Sequence, residues 1–136
     1  NHEMRWLNSK NKKIKRWHPF LRELSAVEVI GNYIFAHAGI DTNKPLNKQI
    51  KEYTTGHYSH SLNRQIPKNK YLVHGHVPND RYGLKKDEIY KNKNELSIDT
   101  GAGHNKFLSL IDLTGQYQYS VEVTNIRKMN IKRLKI

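Results

Sequence analysis

The sequence contains no cysteine, no long apolar run and few acidic residues, and each absence excludes a class of protein. Without Cys, the 136 residues form no disulfide-stapled scaffold, no thiolate metal site and no cysteine nucleophile. No apolar run approaches the roughly 20 residues that a membrane-spanning helix needs. We therefore expect a cytoplasmic protein with no membrane partner.

The scarcity of acidic residues leaves the chain strongly basic. Lys and Arg number 24 against 12 Asp and Glu, which gives a net charge of +12. Such a surface attracts polyanions and phosphorylated ligands, although A/T-rich codons for Lys, Asn and Ile would also raise the Lys count. The cations cluster in segments 10–16 and 127–135. Such segments are usually exposed to solvent without a partner. The more specific alternative is that they bind nucleic acid.

The apolar pattern predicts an α/β chain that is β-rich after residue 70. Helical patches are expected within 1–24, separated by an exposed basic loop at 8–16. Strands are predicted at 27–30, 33–37, 71–73, 96–98, 107–113 and 116–123. Gly31-Asn32 suits a two-residue hairpin turn between the first two strands.

The remaining segments give weaker predictions. Residues 41–69 are polar and irregular, with a short helix near 46–53, and 79–94 read as a charged connector. The tail 124–136 fits either an edge strand or a loose end.

Two histidines follow predicted strands and have glycines beside them. His37 comes directly before Ala38-Gly39, and His76 follows Gly75. A lone histidine at a strand end is usually structural, but glycine at both positions permits close approach to an ion or phosphate. Imidazole is a good ligand for Mn, Fe or Zn. Metal binding by this pair is therefore an alternative to a structural role for each histidine.

Four short motifs occur along the chain in a fixed order. They are NHE at 1–3, FAHAGI at 35–40, VHGHVP at 73–78 and IDTGA at 98–102 followed by FLSLIDL. In order and spacing they resemble the later motifs of the calcineurin-like metallophosphoesterases, of the Ser/Thr protein phosphatase and diadenosine tetraphosphatase type. The resemblance extends from residue 1 to about residue 113.

The resemblance implies a hydrolase that cleaves phosphoesters with hydroxide activated by two divalent metal ions, Mn foremost and Fe or Zn as alternatives. It implies that Asn1, His37 and His76 are metal ligands and that His2 is the general acid. Asn1 and Arg64 would bind the substrate phosphate. The implied partner is a phosphorylated substrate, either a phosphoprotein or a nucleotide phosphate.

The implied fold is a metallophosphatase-type α/β sandwich of two mixed sheets flanked by helices. The family's earlier Asp-x-His and GDxxDRG motifs are not found in this sequence. We therefore expect residues 1–136 to be the C-terminal portion of one such domain, with an N-terminal half as its partner. By itself the chain is expected to be inactive and to expose apolar surface. The alternative is a basic nucleic-acid-binding or scaffold module with a degenerate phosphatase fold.

Four further residues near these motifs are predicted to have structural roles. We expect His74 to hydrogen-bond rather than to bind metal, and Asp99 to cap a turn. Tyr117 and Tyr119 lie two residues apart on one face of a predicted strand. We therefore expect them to pack in the sheet rather than to form a stacking surface for bases.

Overall fold

The computed structural model describes residues 1–57, 65–124 and 130–136. Within them the helices are α1 (His2–Leu7), α2 (Lys12–Lys15) and α3 (His18–Glu23). The strands are β1 (Val27–Ile30), β2 (Tyr33–Ala36), β3 (Tyr71–His74), β4 (Tyr90–Lys91), β5 (Glu95–Ser97), β6 (Phe107–Asp112), β7 (Tyr117–Glu122) and β8 (Lys132–Lys135). Shorter helical turns lie at Leu46–Lys48, Tyr53–His57, Asn79–Tyr82 and Ala102–His104. The predicted α/β class and the β-rich second half are confirmed.

Five strands form a mixed sheet, here called sheet A, in the order β1-β2-β3-β5-β4. The hairpin of β1 and β2 turns at Gly31-Asn32, as predicted, and Gly31 adopts the positive φ of 58° that such a turn requires. Strands β2, β3 and β5 run parallel, so their carboxyl ends meet at one edge of the sheet. That edge carries the histidines discussed below.

The last three strands form a second sheet, sheet B, in the order β6-β7-β8. All of its pairings are antiparallel, so the implied pair of mixed sheets is wrong for this one. Neighbouring strands in sequence pair with each other, and such connections give antiparallel ladders. Strand β8 confirms that the tail contains an edge strand.

Sheet A is covered by apolar side chains on both faces. On one face Val73, Ile89 and Leu96 pack with residues of sheet B, including Ile111 and Leu113. On the other face a second cluster combines strand residues with residues from the loops that follow them, namely Ile34, Ala36, Ile40, Ile66 and Leu72. The two sheets therefore share one core, and Ile40 and Ile66 pack on the opposite side of sheet A.

Two buried polar pairs join β3, β5 and the turn after β3. His74 Nε2 lies 3.2 Å from Glu95 Oε1, and both side chains are almost fully buried. Asn79 Nδ2 donates to the Ser97 carbonyl at 2.7 Å, and Ser97 Oγ donates to Asn79 Oδ1 at 2.7 Å. His74 is thus engaged in a hydrogen bond, as predicted. Because buried polar groups cost free energy when unpaired, these bonds fix the alignment of the strands.

Two sequence predictions about loops are wrong. The basic segment 8–16 contains the helix α2, whose first turn is capped by Asn11 Oδ1 on the Lys13 N–H at 2.9 Å. The connector 79–94 contains a helical turn and the two-residue strand β4. Both elements are too short to show an apolar period. Among the described residues, no helix has the length and apolar character needed to cross a membrane.

We expect Leu72→Ala to lower the free energy of unfolding by about 2–5 kcal/mol, because Leu72 is fully buried and its loss leaves a cavity. Leu110→Ala is the matched control, since Leu110 is 64% exposed and its truncation should cost about 0.5 kcal/mol or less. Urea unfolding of both variants measures the difference. Equal costs would contradict the assigned core.

Candidate metal centre

His37 and His76 meet at the carboxyl edge of sheet A. His37 follows β2 directly, and His76 lies two residues after β3. The Gly75 N–H donates to the His37 carbonyl at 2.9 Å, which continues the parallel pairing of β2 and β3 past the strand ends. His37 Nε2 lies 3.1 Å from His76 Nδ1, and the ring centroids are 5.0 Å apart. The structure therefore brings the two predicted ligands together.

The backbone at His76 is unusual for a residue with a side chain. Its φ is 76°, in the left-handed region that favours glycine and asparagine. Strained backbone of this kind costs of order 1–3 kcal/mol and clusters at ligand sites. The ring of this residue contacts His37, with the two ring centroids 5.0 Å apart.

Gly56 makes room for the His76 ring. A Cβ atom placed on Gly56 would lie 2.9 Å from both Cε1 and Nε2 of His76, and the φ of Gly56 is 151°. The helical turn Tyr53–His57 is broken at this residue. Sequence reasoning missed Gly56, because the only signal was a single glycine in an irregular polar stretch.

Asn1 lies beside the same ring. The Cβ of Asn1 would be 3.4 Å from the Cβ built on Gly56, which places Asn1 and His76 on neighbouring sides of that glycine. Asn1 precedes α1 but makes no side-chain capping bond to that helix, which is described throughout. Its amide is therefore not used to cap the helix, although asparagine is a preferred residue at this position.

A concavity of about 500 Å³ opens beside the histidine pair. Its lining includes His37, His76, Asp99 and Glu28. Asp99 Oδ1 accepts the Gly101 N–H at 2.8 Å, so the predicted turn cap is confirmed. Asp99 also faces the site: its Oδ2 would lie 3.9 Å from a Cβ on Gly75.

The pKa of His37 is lowered from its ordinary value. Partial burial of the ring is the largest cause, followed by the positive charges of the Asn1 amino group and of His76. The carboxylates of Glu3 and Asp99 act in the opposite direction but do not outweigh them. A neutral imidazole has a free lone pair, so this environment favours the form that binds a metal.

The other predicted site residues are placed less directly. His2 is exposed in the first turn of α1, directly after Asn1, and is not among the residues that line the concavity. Arg64 lies outside the described residues. Among the described residues, no group of three or more His, Asp or Glu side chains forms a metal-holding cluster.

The donor atoms present fit one side of a metal ion. Two metal–nitrogen bonds of about 2.0–2.1 Å set their nitrogens roughly 3.0–3.4 Å apart. The observed 3.1 Å between His37 Nε2 and His76 Nδ1 falls in that range, and it suits a shared proton equally well. The described residues thus supply two imidazoles, with Asn1 next to Gly56 nearby, and a full coordination shell needs further donors.

Comparison with protein-family models, with curated proteins and with solved structures found no match to this chain. The assignment of the site therefore depends on its own geometry.

We expect Gly56→Ala to weaken metal binding, because the added methyl group would displace the His76 ring. Gly103→Ala is the matched control, since nothing lies within 4 Å of a Cβ at that position. Zn²⁺ titration by calorimetry should show a loss of about tenfold or more for Gly56→Ala and almost none for the control. An unchanged affinity for Gly56→Ala would contradict the close approach.

We expect the metal-free protein to lose stability as the pH falls below about 6.5, the ordinary histidine pKa. The lowered pKa of His37 means that the unfolded chain takes up a proton first, so the contribution of His37 is present above that pH and is lost below it. Urea unfolding between pH 7.5 and 5 should therefore show a steeper fall for the native chain than for His37→Gln. His104→Gln, at an exposed position, should follow the native chain. An NMR titration midpoint for His37 at or above 6.5 would contradict this.

Proposed function

We propose that this chain forms part of a metal-dependent phosphoesterase centre of the Ser/Thr protein phosphatase type. The observation that carries the proposal is the 3.1 Å approach of His37 Nε2 to His76 Nδ1 at the carboxyl edge of three parallel strands. Ligand sites in open α/β sheets lie at such edges. The motif resemblance names the same two histidines.

In this proposal, His37, His76 and Asn1 bind a divalent cation, with Mn foremost and Fe or Zn as alternatives. Imidazole nitrogens and amide oxygens suit these ions. When bound, a pair of such cations supplies a nucleophile at neutral pH and neutralises charge on the phosphoryl oxygens. The carboxylate ligands that such a pair requires are assigned to a preceding half of the same protein.

The protein side chains have separate tasks in this scheme. Partial burial of the His37 ring lowers its pKa and favours the neutral form, so that its lone pair stays available near neutral pH. His2 is the general acid that donates a proton to the leaving oxygen. Its exposed position leaves room for a substrate. Asn1 and Arg64 are assigned to the substrate phosphate.

The class of substrate follows from charge. A chain of net charge +12 attracts phosphorylated ligands from solution, and phosphate esters are negatively charged at neutral pH. The choice between phosphoproteins, nucleotide phosphates and small phosphomonoesters depends on loops outside the histidine pair. The proposal is therefore a phosphoesterase of the protein-phosphatase type with a phosphorylated substrate as its partner.

The test is Mn²⁺-dependent hydrolysis of p-nitrophenyl phosphate, by this chain alone and by this chain preceded by the residues encoded before Asn1. We expect turnover from the longer protein only, and its loss on chelation. His76→Asn removes the imidazole while tolerating the left-handed backbone, and should reduce kcat/KM by at least the 10–100-fold typical of weaker perturbations at metal sites.

His104→Asn is the matched control for this test, because His104 is exposed on another turn and should retain activity within about twofold. Direct Mn²⁺ binding, followed by electron paramagnetic resonance, separates ligation from turnover. Turnover that His76→Asn leaves unchanged would overturn the proposal. So would an absence of turnover with Mn²⁺, Fe²⁺ and Zn²⁺ in both proteins.

A further inference from the structure

One face of sheet B points away from sheet A. Side chains alternate between the two faces of a strand, and Ile111, Gln118 and Ser120 face inward, where Gln118 and Ser120 are buried. The alternate residues of β6 and β7 face the other way. Together with the β8 residues paired with them, they form the opposite surface, here called the outer face. It consists of Leu108, Leu110, Asp112, Tyr117, Tyr119, Val121, Arg133 and Lys135.

The outer face is apolar and accessible. Leu108 is 57% exposed and Leu110 is 64% exposed, and they pair across the sheet with Val121 and Tyr119. Tyr117 and Tyr119 are partly exposed on this face, where their rings pack against each other and against Arg133. Contiguous exposed apolar side chains on one face often mark a binding site.

Flat side chains are grouped at the centre of the outer face. The Tyr117 and Tyr119 ring centroids are 6.5 Å apart. The Arg133 guanidinium carbon lies 3.8 Å from the Tyr117 centroid and 5.8 Å from the Tyr119 centroid, within the range of cation–π attraction. The ring planes are tilted by 49° and Arg133 lies over Tyr117, so the two rings and the guanidinium form one contiguous cluster next to Leu110 rather than a flat surface.

The charge of the outer face is positive. Arg133 and Lys135 lie on it, and both are exposed. The carboxylate that shares this face is Asp112, whose Oδ1 accepts the N–H groups of Thr114 and Gly115 in the adjoining turn. A second copy of the chain would bring another +12 charges against this face, so self-association is opposed by repulsion.

We propose that the outer face binds single-stranded nucleic acid. Unpaired bases stack on tyrosine rings and on the plane of arginine, and lysine and arginine contact the phosphates. A duplex keeps its bases stacked inside and offers nothing to the two tyrosines. The grouping of two rings with Arg133, together with the positive charge of this face, favours this ligand over an acidic peptide, because carboxylate side chains pair with the cations but supply no aromatic ring to stack on the tyrosines.

The test is fluorescence anisotropy of labelled oligo(dT) and oligo(U) of about 10 nucleotides with the full chain, at several salt concentrations. We expect binding that weakens with salt, and weak competition by duplex DNA of equal length. Tyr119→Val and Arg133→Gln should each weaken binding by about tenfold, the scale of one lost stacking contact. Val at 119 retains a residue that suits a strand.

Arg16→Gln is the matched control for charge. It removes the same single charge, from an arginine that also contacts an aromatic ring, Trp17, with 5.3 Å between the guanidinium carbon and the ring centroid. It should change the affinity by less than about twofold. Equal weakening by Arg16→Gln and Arg133→Gln would show binding through net charge alone and would overturn the proposal. Circular dichroism of each variant establishes that the fold is intact.

Two other outcomes would also overturn the proposal. One is an absence of binding to both oligonucleotides at low salt. The other is a stable dimer in sedimentation equilibrium that Leu110→Ser dissociates, which would assign the outer face to a second copy. His76→Asn should leave oligonucleotide binding unchanged, so failure of this proposal and failure of the proposed phosphoesterase are distinguishable.

Discussion

The parallel pairing of β2 with β3 is the constraint on which the candidate site depends. Its register sets Phe35 opposite Val73, and the Gly75 N–H then bonds to the His37 carbonyl at 2.9 Å. Because both strands end at the same edge of the sheet, His37 and His76 are brought together although 39 positions separate them in sequence. A slip of one residue in that ladder would point the strand side chains to opposite faces and would separate the two rings.

Buried polar groups hold that ladder in place beneath the site. The His74–Glu95 contact ties β3 to β5, and Asn79 ties the following turn to Ser97. Each pair lies where water does not reach, so losing one partner would leave the other unsatisfied. The two histidines of the VHGHVP segment thus have different roles: His74 stabilises the sheet, and His76 lines the concavity.

The sequence predicted most of the strands and the two histidines, since apolar alternation and glycine at strand ends are local signals. It did not predict α2 or β4, which are too short to show a period. It also missed Gly56, whose importance depends on the His76 ring that contacts it from a distant segment. Tyr117 and Tyr119 were placed on one face of a strand, but strict alternation identifies two faces without saying which one is buried.

The left-handed backbone at His76 restricts which residues can replace it in the course of evolution. Glycine, asparagine, aspartate and histidine adopt this conformation at low cost, whereas β-branched residues do not. Aspartate among them carries a charged oxygen ligand, which the neutral amide of asparagine does not. Selection for a different metal could therefore exchange nitrogen for oxygen at this position without rebuilding the loop, and the ion preference of such a centre can drift while its fold is conserved.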